Sequence, residues 1–162
     1  MNEFEINIKA RRYNSIVELD ETERRLLEVA NEATKTSYAP YSKFNVGSAV
    51  LLENGEIITG SNQENNAYPS GLCAERVAVF YANAKYPNIA IKAIAISSAV
   101  NNKINDIEVY PCGSCRQVLV ESENRQNTKI KLIMGGVKSI IVVDSVSLML
   151  PFTFDLDKMM SL

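Results

Sequence analysis

Cys73, Cys112 and Cys115 are the only three cysteines in a chain that contains no histidine. Cys112 and Cys115 stand three apart, so in the first turn of a helix both thiols face the same side. Cys73 follows Gly71-Leu72 and opens another predicted helix. The positive end of a helix favours a thiolate, and the thiolate is the form that binds zinc. Three sulfurs leave the fourth corner of a tetrahedron open, which is the arrangement of a catalytic rather than a structural zinc. The absence of histidine removes every His-based triad and every His-ligated metal site, so proton transfer falls mainly to a carboxylate. Glu75, two residues beyond Cys73, is placed to take a proton from water and return it to a substrate, work worth about 10²–10⁴-fold in rate. Arg76 and Arg116 follow the two cysteine segments. A zinc carrying three thiolates is electron-rich, and guanidinium donors to the sulfurs would withdraw charge and restore its power to acidify water.

Each of these residues also has a plainer reading. A C-x-x-C pair can be a redox pair or chance, and a free cysteine is often core. An acidic residue in a first helical turn usually compensates the helix dipole, and helix arginines usually face solvent. None of this explains why Glu75 follows Cys73 by two residues or why arginines follow both segments. A closed, non-catalytic zinc-stabilised binding module would need a fourth protein ligand. Asp106 or Glu75 could supply one, and a Glu75 so used would be lost as a base.

The elements that must position these side chains are read from periodicity. At 162 residues the chain has the size of a single domain, 1–162. Residues 1–19 carry an apolar alternation, Phe4, Ile6 and Ile8, that suits an edge strand or an arm. Asp20 followed by Glu23 reads as a helix start of capping-box type, with Leu26, Leu27, Ala30 and Ala33 on one face. Two strands are predicted over 46–52 and 56–61, around the turn Glu53-Asn54-Gly55. A helix over 73–85 and a strand over 89–98 come next. The Asn-rich segment 100–110 reads as a loop, and a helix opens at Pro111-Cys112, with the proline in its first turn. Strands over 129–134 and 139–143 precede a short C-terminal helical region. The alternation predicts an α/β fold, a three-layer αβα sandwich around a mixed five-stranded sheet.

Composition narrows the partners. The formal net charge is −2, and no Lys/Arg run exceeds Arg11-Arg12 or Arg24-Arg25. A polynucleotide binder shows a basic footprint, so the substrate expected is small and uncharged, with no nucleic acid. No stretch approaches the roughly 18 apolar residues of a membrane span, so no membrane partner is expected. Met1-Asn2-Glu3-Phe4-Glu5 lacks the apolar core of a secretory signal, which predicts a cytoplasmic protein, and an odd cysteine count argues against a disulfide framework.

Cys73-Ala74-Glu75-Arg76 together with Pro111-Cys112-Gly113-Ser114-Cys115-Arg116-Gln117 resembles the cytidine deaminase family in its three-cysteine, homotetrameric branch. The likeness runs from about Tyr41 to Phe154. It implies one zinc per chain on Cys73, Cys112 and Cys115. It also implies hydrolytic deamination of free cytidine and/or deoxycytidine to uridine or deoxyuridine plus ammonia, as in pyrimidine salvage, with Glu75 as proton shuttle. By the same likeness Phe44 packs on the pyrimidine, Asn62 and Glu64 of the N-x-E-N segment grip the ribose 3′-hydroxyl, and the Ala74 N–H meets the pyrimidine carbonyl. Phe154 of Pro151-Phe152-Thr153-Phe154 would reach a neighbouring subunit's pocket in a homotetramer whose active sites lie near subunit interfaces. Two positions depart from the family pattern. Tyr110 stands where a small hydroxyl residue usually precedes Pro-Cys, and Asn66 where Ala is usual. A deaminase of a blasticidin-type cytosine antibiotic shares the zinc motifs, but Asn62-x-Glu64 fits a ribose hydroxyl pair that such an enzyme is not expected to keep.

Overall fold

The Asp20 carboxylate accepts the Glu23 N–H at 2.8 Å and caps α1 (Glu21–Ala33), as the sequence predicts. The computed structural model describes residues 1–156 and 160. After β1 (Arg11–Tyr13) and α1 come β2 (Phe44–Leu52), β3 (Ile57–Ser61), α2 (Ala74–Lys85), β4 (Ile91–Val100), β5 (Lys103–Ile104), α3 (Gly113–Gln126), β6 (Lys131–Met134) and β7 (Ile140–Val143). The short C-terminal helical region is a 3-10 turn at Val146–Met149. Pro111 stands just before the capping residue Cys112 rather than within the first turn of α3. Among the described residues no helix is long and apolar enough to cross a membrane.

The predicted strands form one contiguous sheet in the order β7-β6-β4-β2-β3. The β4–β6 pair is parallel and the other pairs are antiparallel, so the sheet is mixed. Two short strands extend it to seven. β1 adds to the free edge of β7, with Arg11 opposite Val142 and Tyr13 opposite Ile140. The edge strand is therefore not the Phe4/Ile6/Ile8 alternation, whose side chains are exposed, but the three residues beyond it. β5 folds back on β4 through Asn101 and Asn102, whose φ angles of 52° and 60° match the left-handed pair of a type I′ hairpin turn. The polar loop at 100–110 thus begins as a hairpin too short for its periodicity to register.

Alternation along β4 separates two cores. Ala93 and Ala95 face α1 and pack with Leu26, Leu27, Ala30 and Ile133. Ile94 and Ile96 face α2 and α3 and pack with Val79, Ala82, Leu119, Val120 and Leu132. Each fully buried Leu or Ile contributes about 1.5–3 kcal/mol, so this division fixes which face each helix covers.

Gly60 sets how closely α2 approaches the sheet. A Cβ there would lie 2.5 Å from both the Ala74 carbonyl oxygen and the Ala78 amide nitrogen, backbone atoms that cannot swing away. The first turn of α2 rests on this glycine. Gly60→Ala is expected to cost about 1–3 kcal/mol by overpacking and to displace the turn that carries Cys73 and Glu75. Gly113→Ala is the control, because a Cβ there meets nothing within 4 Å. Denaturant unfolding of both variants should show the loss only for Gly60.

Candidate active site

Cys73 caps the N-terminus of α2 and Cys112 that of α3, with Cys115 one turn further along α3. Both capping residues have extended backbones, so their side chains leave the helix ends toward each other. Cys73 and Cys112 sulfurs are 3.9 Å apart and Cys112 and Cys115 sulfurs 3.5 Å, and all three lie within 4.8 Å of one another. Zinc–sulfur bonds of about 2.3 Å at tetrahedral angles separate sulfurs by about 3.8 Å. The spacing therefore fits one tetrahedral ion, and it is too long for a disulfide. Among the described residues no other Cys, Asp or Glu joins this cluster. Asp106, which could have closed the site, instead pairs on the surface with Lys138.

The electrostatics of the cluster call for a cation. Hydrogen bonds from the Cys115 thiol and then from Arg76 and Cys112 pull the Cys73 thiol down to about 5, against the effect of burial. Cys115 is pushed strongly upward by its hydrogen bond to Cys73 and by burial. Three thiolates this close together need a positive charge at their centre to offset their repulsion.

Glu75 is 4% exposed and lies within hydrogen-bond reach of Cys115. Burial pushes its carboxyl up to about 7, and the Cys73 charge adds to that, while Cys115 and Arg76 oppose it. A carboxyl poised near neutrality can both accept and donate a proton. Arg76 Nη2 lies 3.9 Å from the Cys73 sulfur, the donor position predicted for it. Arg116 is a correction. Its Nε donates to the Pro111 carbonyl at 2.9 Å and its Nη1 to the Met149 carbonyl at 3.3 Å, and it makes no hydrogen bond to a sulfur. A residue of the first turn of α3 points back along the chain that enters the helix, so its guanidinium meets carbonyls before sulfurs. Arg116 thus ties the peptide leading into Cys112 through the Pro111 carbonyl.

A cavity of about 590 Å³ opens beside Cys73 and Arg76 and is lined also by Tyr41, Ser42, Asn62, Glu64 and Tyr68. This lies within the usual size range for small-molecule pockets. Glu64 Oε2 accepts the N–H groups of Tyr41 and Ser42 at 2.9 and 3.2 Å, and bonds from Ser42 and Tyr41 hold its carboxyl below the usual range. Asn62 Oδ1 accepts from the Val46 N–H and the Ser37 hydroxyl, and Nδ2 donates to the Phe44 carbonyl. Three of the four bonds an amide can make are spent on the backbone and Ser37, which leaves one N–H for a ligand. Asn62 thereby also sets the start of β2 and the direction of Phe44. Phe44 is partly exposed and does not line the cavity of this chain. Ala74 is buried at the first position of α2, where its N–H has no helical partner. Phe154 is 64% exposed, and its backbone is clamped to the Gln117 side chain by bonds of 2.8 and 3.2 Å. Tyr68 was not singled out from the sequence, because nothing in its neighbours marks an exposed aromatic as pocket lining.

The family model described as "Cytidine and deoxycytidylate deaminase zinc-binding region" matches residues 20–130. A cytidine deaminase of Halalkalibacterium halodurans is 35% identical over 83% of this chain and 95% of its own length. One from Sporosarcina psychrophila is 35% identical over 80% of this chain and 89% of its own. The crystal structure of cytidine deaminase from Burkholderia pseudomallei superposes with a TM-score of 0.65 at 33% identity, covering 80% of this chain and 97% of that one.

Proposed function

The chain belongs to the zinc-binding cytidine and deoxycytidylate deaminases, and from that membership we propose that it hydrolyses free cytidine and deoxycytidine to uridine and deoxyuridine with release of ammonia, with Glu75 moving the protons. The observation that carries this reading is the convergence of three sulfurs at two helix N-termini beside a buried carboxyl.

Cys73, Cys112 and Cys115 would hold the zinc. When bound there, the metal supplies the Lewis acid that turns water into a nucleophile at neutral pH. Glu75 takes the proton of that water and delivers it to the ring nitrogen N3, which makes C4 electrophilic. After the new C–O bond forms, the same carboxyl takes the remaining proton of the new C4 hydroxyl and passes it to the exocyclic amino group, the C4–N bond breaks as the C4 carbonyl forms, and ammonia leaves. Burial keeps Glu75 out of contact with bulk water, so the proton is returned to the substrate rather than lost. The Ala74 N–H would receive the pyrimidine carbonyl, and Arg76 would draw charge from the Cys73 thiolate. Glu64 and the remaining Asn62 N–H would meet the ribose 3′-hydroxyl, with Phe44 against the base.

Pyrimidine salvage, a cytoplasmic setting and a homotetramer belong to the same proposal. A reducing compartment keeps three close thiols available for metal. Exposed Phe80, Tyr81, Phe152 and Phe154 supply apolar surface for subunit contacts, and Phe154 does not line its own chain's cavity.

The test is purified zinc-loaded protein offered cytidine, deoxycytidine, cytosine nucleotides and blasticidin, with released ammonia measured. Nucleosides should be converted and nucleotides left. Zinc-loaded protein that leaves cytidine intact would overturn the reading. Glu64→Gln is expected to raise KM about tenfold or more, through weakening of a bond to a charged group. Asn62→Ala should instead lower the melting temperature, because it leaves backbone groups unpaired.

A further inference from the structure

The geometry points to Glu108 as a positioning residue for the Cys112 segment, acting through the phenol of Tyr110 in a way that rests on the deaminase reading above. The Glu108 side chain is only 7% exposed. Its Oε1 accepts the Tyr110 hydroxyl at 2.6 Å and Arg12 Nη2 at 3.4 Å, and Ser139 helps to hold its carboxyl below the usual range. Three stretches of chain therefore meet at one carboxylate: the edge strand β1, the residue that precedes β7, and the residue two positions before Cys112.

The segment that carries Tyr110 is held by the packing of Val109 on the core and the burial of Pro111, but by few polar contacts. Among the described residues, 107–111 make no backbone–backbone hydrogen bond. On one side the hairpin-like bonds Val137 N–H to Asn105 and Lys138 N–H to Asp106 end the ordered pairing. On the other, Arg116 grips the Pro111 carbonyl at 2.9 Å. Between these anchors Val109 packs against the core, and the Glu108–Tyr110 bond is the polar contact that holds the phenol. A buried carboxylate is costly without donors, so it holds the phenol in place, and the phenol fixes the peptide that delivers Cys112 to the other two sulfurs. Cys112 is the exposed member of the three, the one with least surrounding packing to place its thiol. This also gives a purpose to the unusual Tyr110 and to β1, which carries Arg12 to the node while Arg11 clamps the strand to Asp144 at 2.6 and 2.7 Å.

The experiment measures, on zinc-loaded protein, the rate of zinc loss to an excess of a chromogenic chelator, alongside kcat and KM for cytidine. Tyr110→Phe and Glu108→Ala are each expected to speed zinc loss about tenfold, as loss of a group that orients a metal ligand commonly does. Combining them should add little, because they break one chain of bonds. Glu108→Gln keeps an acceptor for the phenol and should recover most of the wild-type rate. Arg11→Ala cuts the neighbouring clamp on the same strand and should leave zinc loss unchanged. The assignment falls if Tyr110→Phe holds zinc as wild type does, or if Arg11→Ala speeds the loss as much as Glu108→Ala. Should Glu108→Ala fail to fold, Tyr110→Phe decides alone, since its half-exposed ring stays in place. A wild-type protein that binds zinc but spares cytidine would sink the deaminase reading while leaving the zinc-loss comparison valid.

Discussion

Glu75→Gln is expected to lower kcat for cytidine by at least about 10²–10⁴-fold with zinc still bound and no loss of thermal stability. Gln keeps the size and one acceptor of the carboxyl but cannot carry one proton from water to N3 and a second to the leaving amino group. Both transfers run through the same oxygen pair, so a single substitution removes two steps, and the upper part of the range is the expected one. Stability should hold because Glu75 is 4% exposed and burial already disfavours its charged form. A neutral side chain of equal volume removes that cost. Zinc should stay because the three sulfurs are untouched. Steady-state kinetics with metal analysis on the same preparation checks the result. Turnover near wild type in a zinc-loaded Gln variant would remove Glu75 from the mechanism.

The chemistry was more legible in the sequence than the means of positioning it. Cys112 and Cys115 declare their shared direction by spacing alone, because a three-residue step in a first helical turn has one outcome. Cys73 was readable from its place at the start of α2, and Glu75 from its place two residues beyond that ligand. Arg116 was not, since spacing gives the face of a helix but not whether a long side chain turns toward sulfurs or toward the Pro111 carbonyl. Asn62 shows a second limit. Its motif announces a ligand contact, but its bonds to Val46 and Phe44 cross between segments that pattern alone does not bring together. The five longer strands were read from runs of β-branched and apolar residues. β1 and β5, of three and two residues, carry too few side chains for any period and exist because a partner edge is there to receive them.

Replacing Cys115 by Ser is expected to abolish detectable deamination and to release zinc. Structural zinc contributes about 10–16 kcal/mol where four ligands close the site. With three protein ligands, one sulfur carries on the order of 3–5 kcal/mol, which is a loss of roughly 10²–10⁴ in affinity. A serine hydroxyl does not ionise near neutral pH and cannot repay it. Cys115 is the more severe site and Cys112 the milder one, because Cys115 is 0% exposed and a hydroxyl there would be buried among sulfurs, while Cys112 opens to solvent. Metal and fold should be linked as well. Zinc binds the folded arrangement that brings Cys73 to α3, so its removal from the wild type by a chelator should lower the melting temperature, and its return should restore both melting temperature and activity. The Cys115→Ser variant should start near the chelated value and respond little to added zinc. Equal zinc content and undiminished turnover in that variant would mean that the three sulfurs, close as they are, do not hold the metal that does the work.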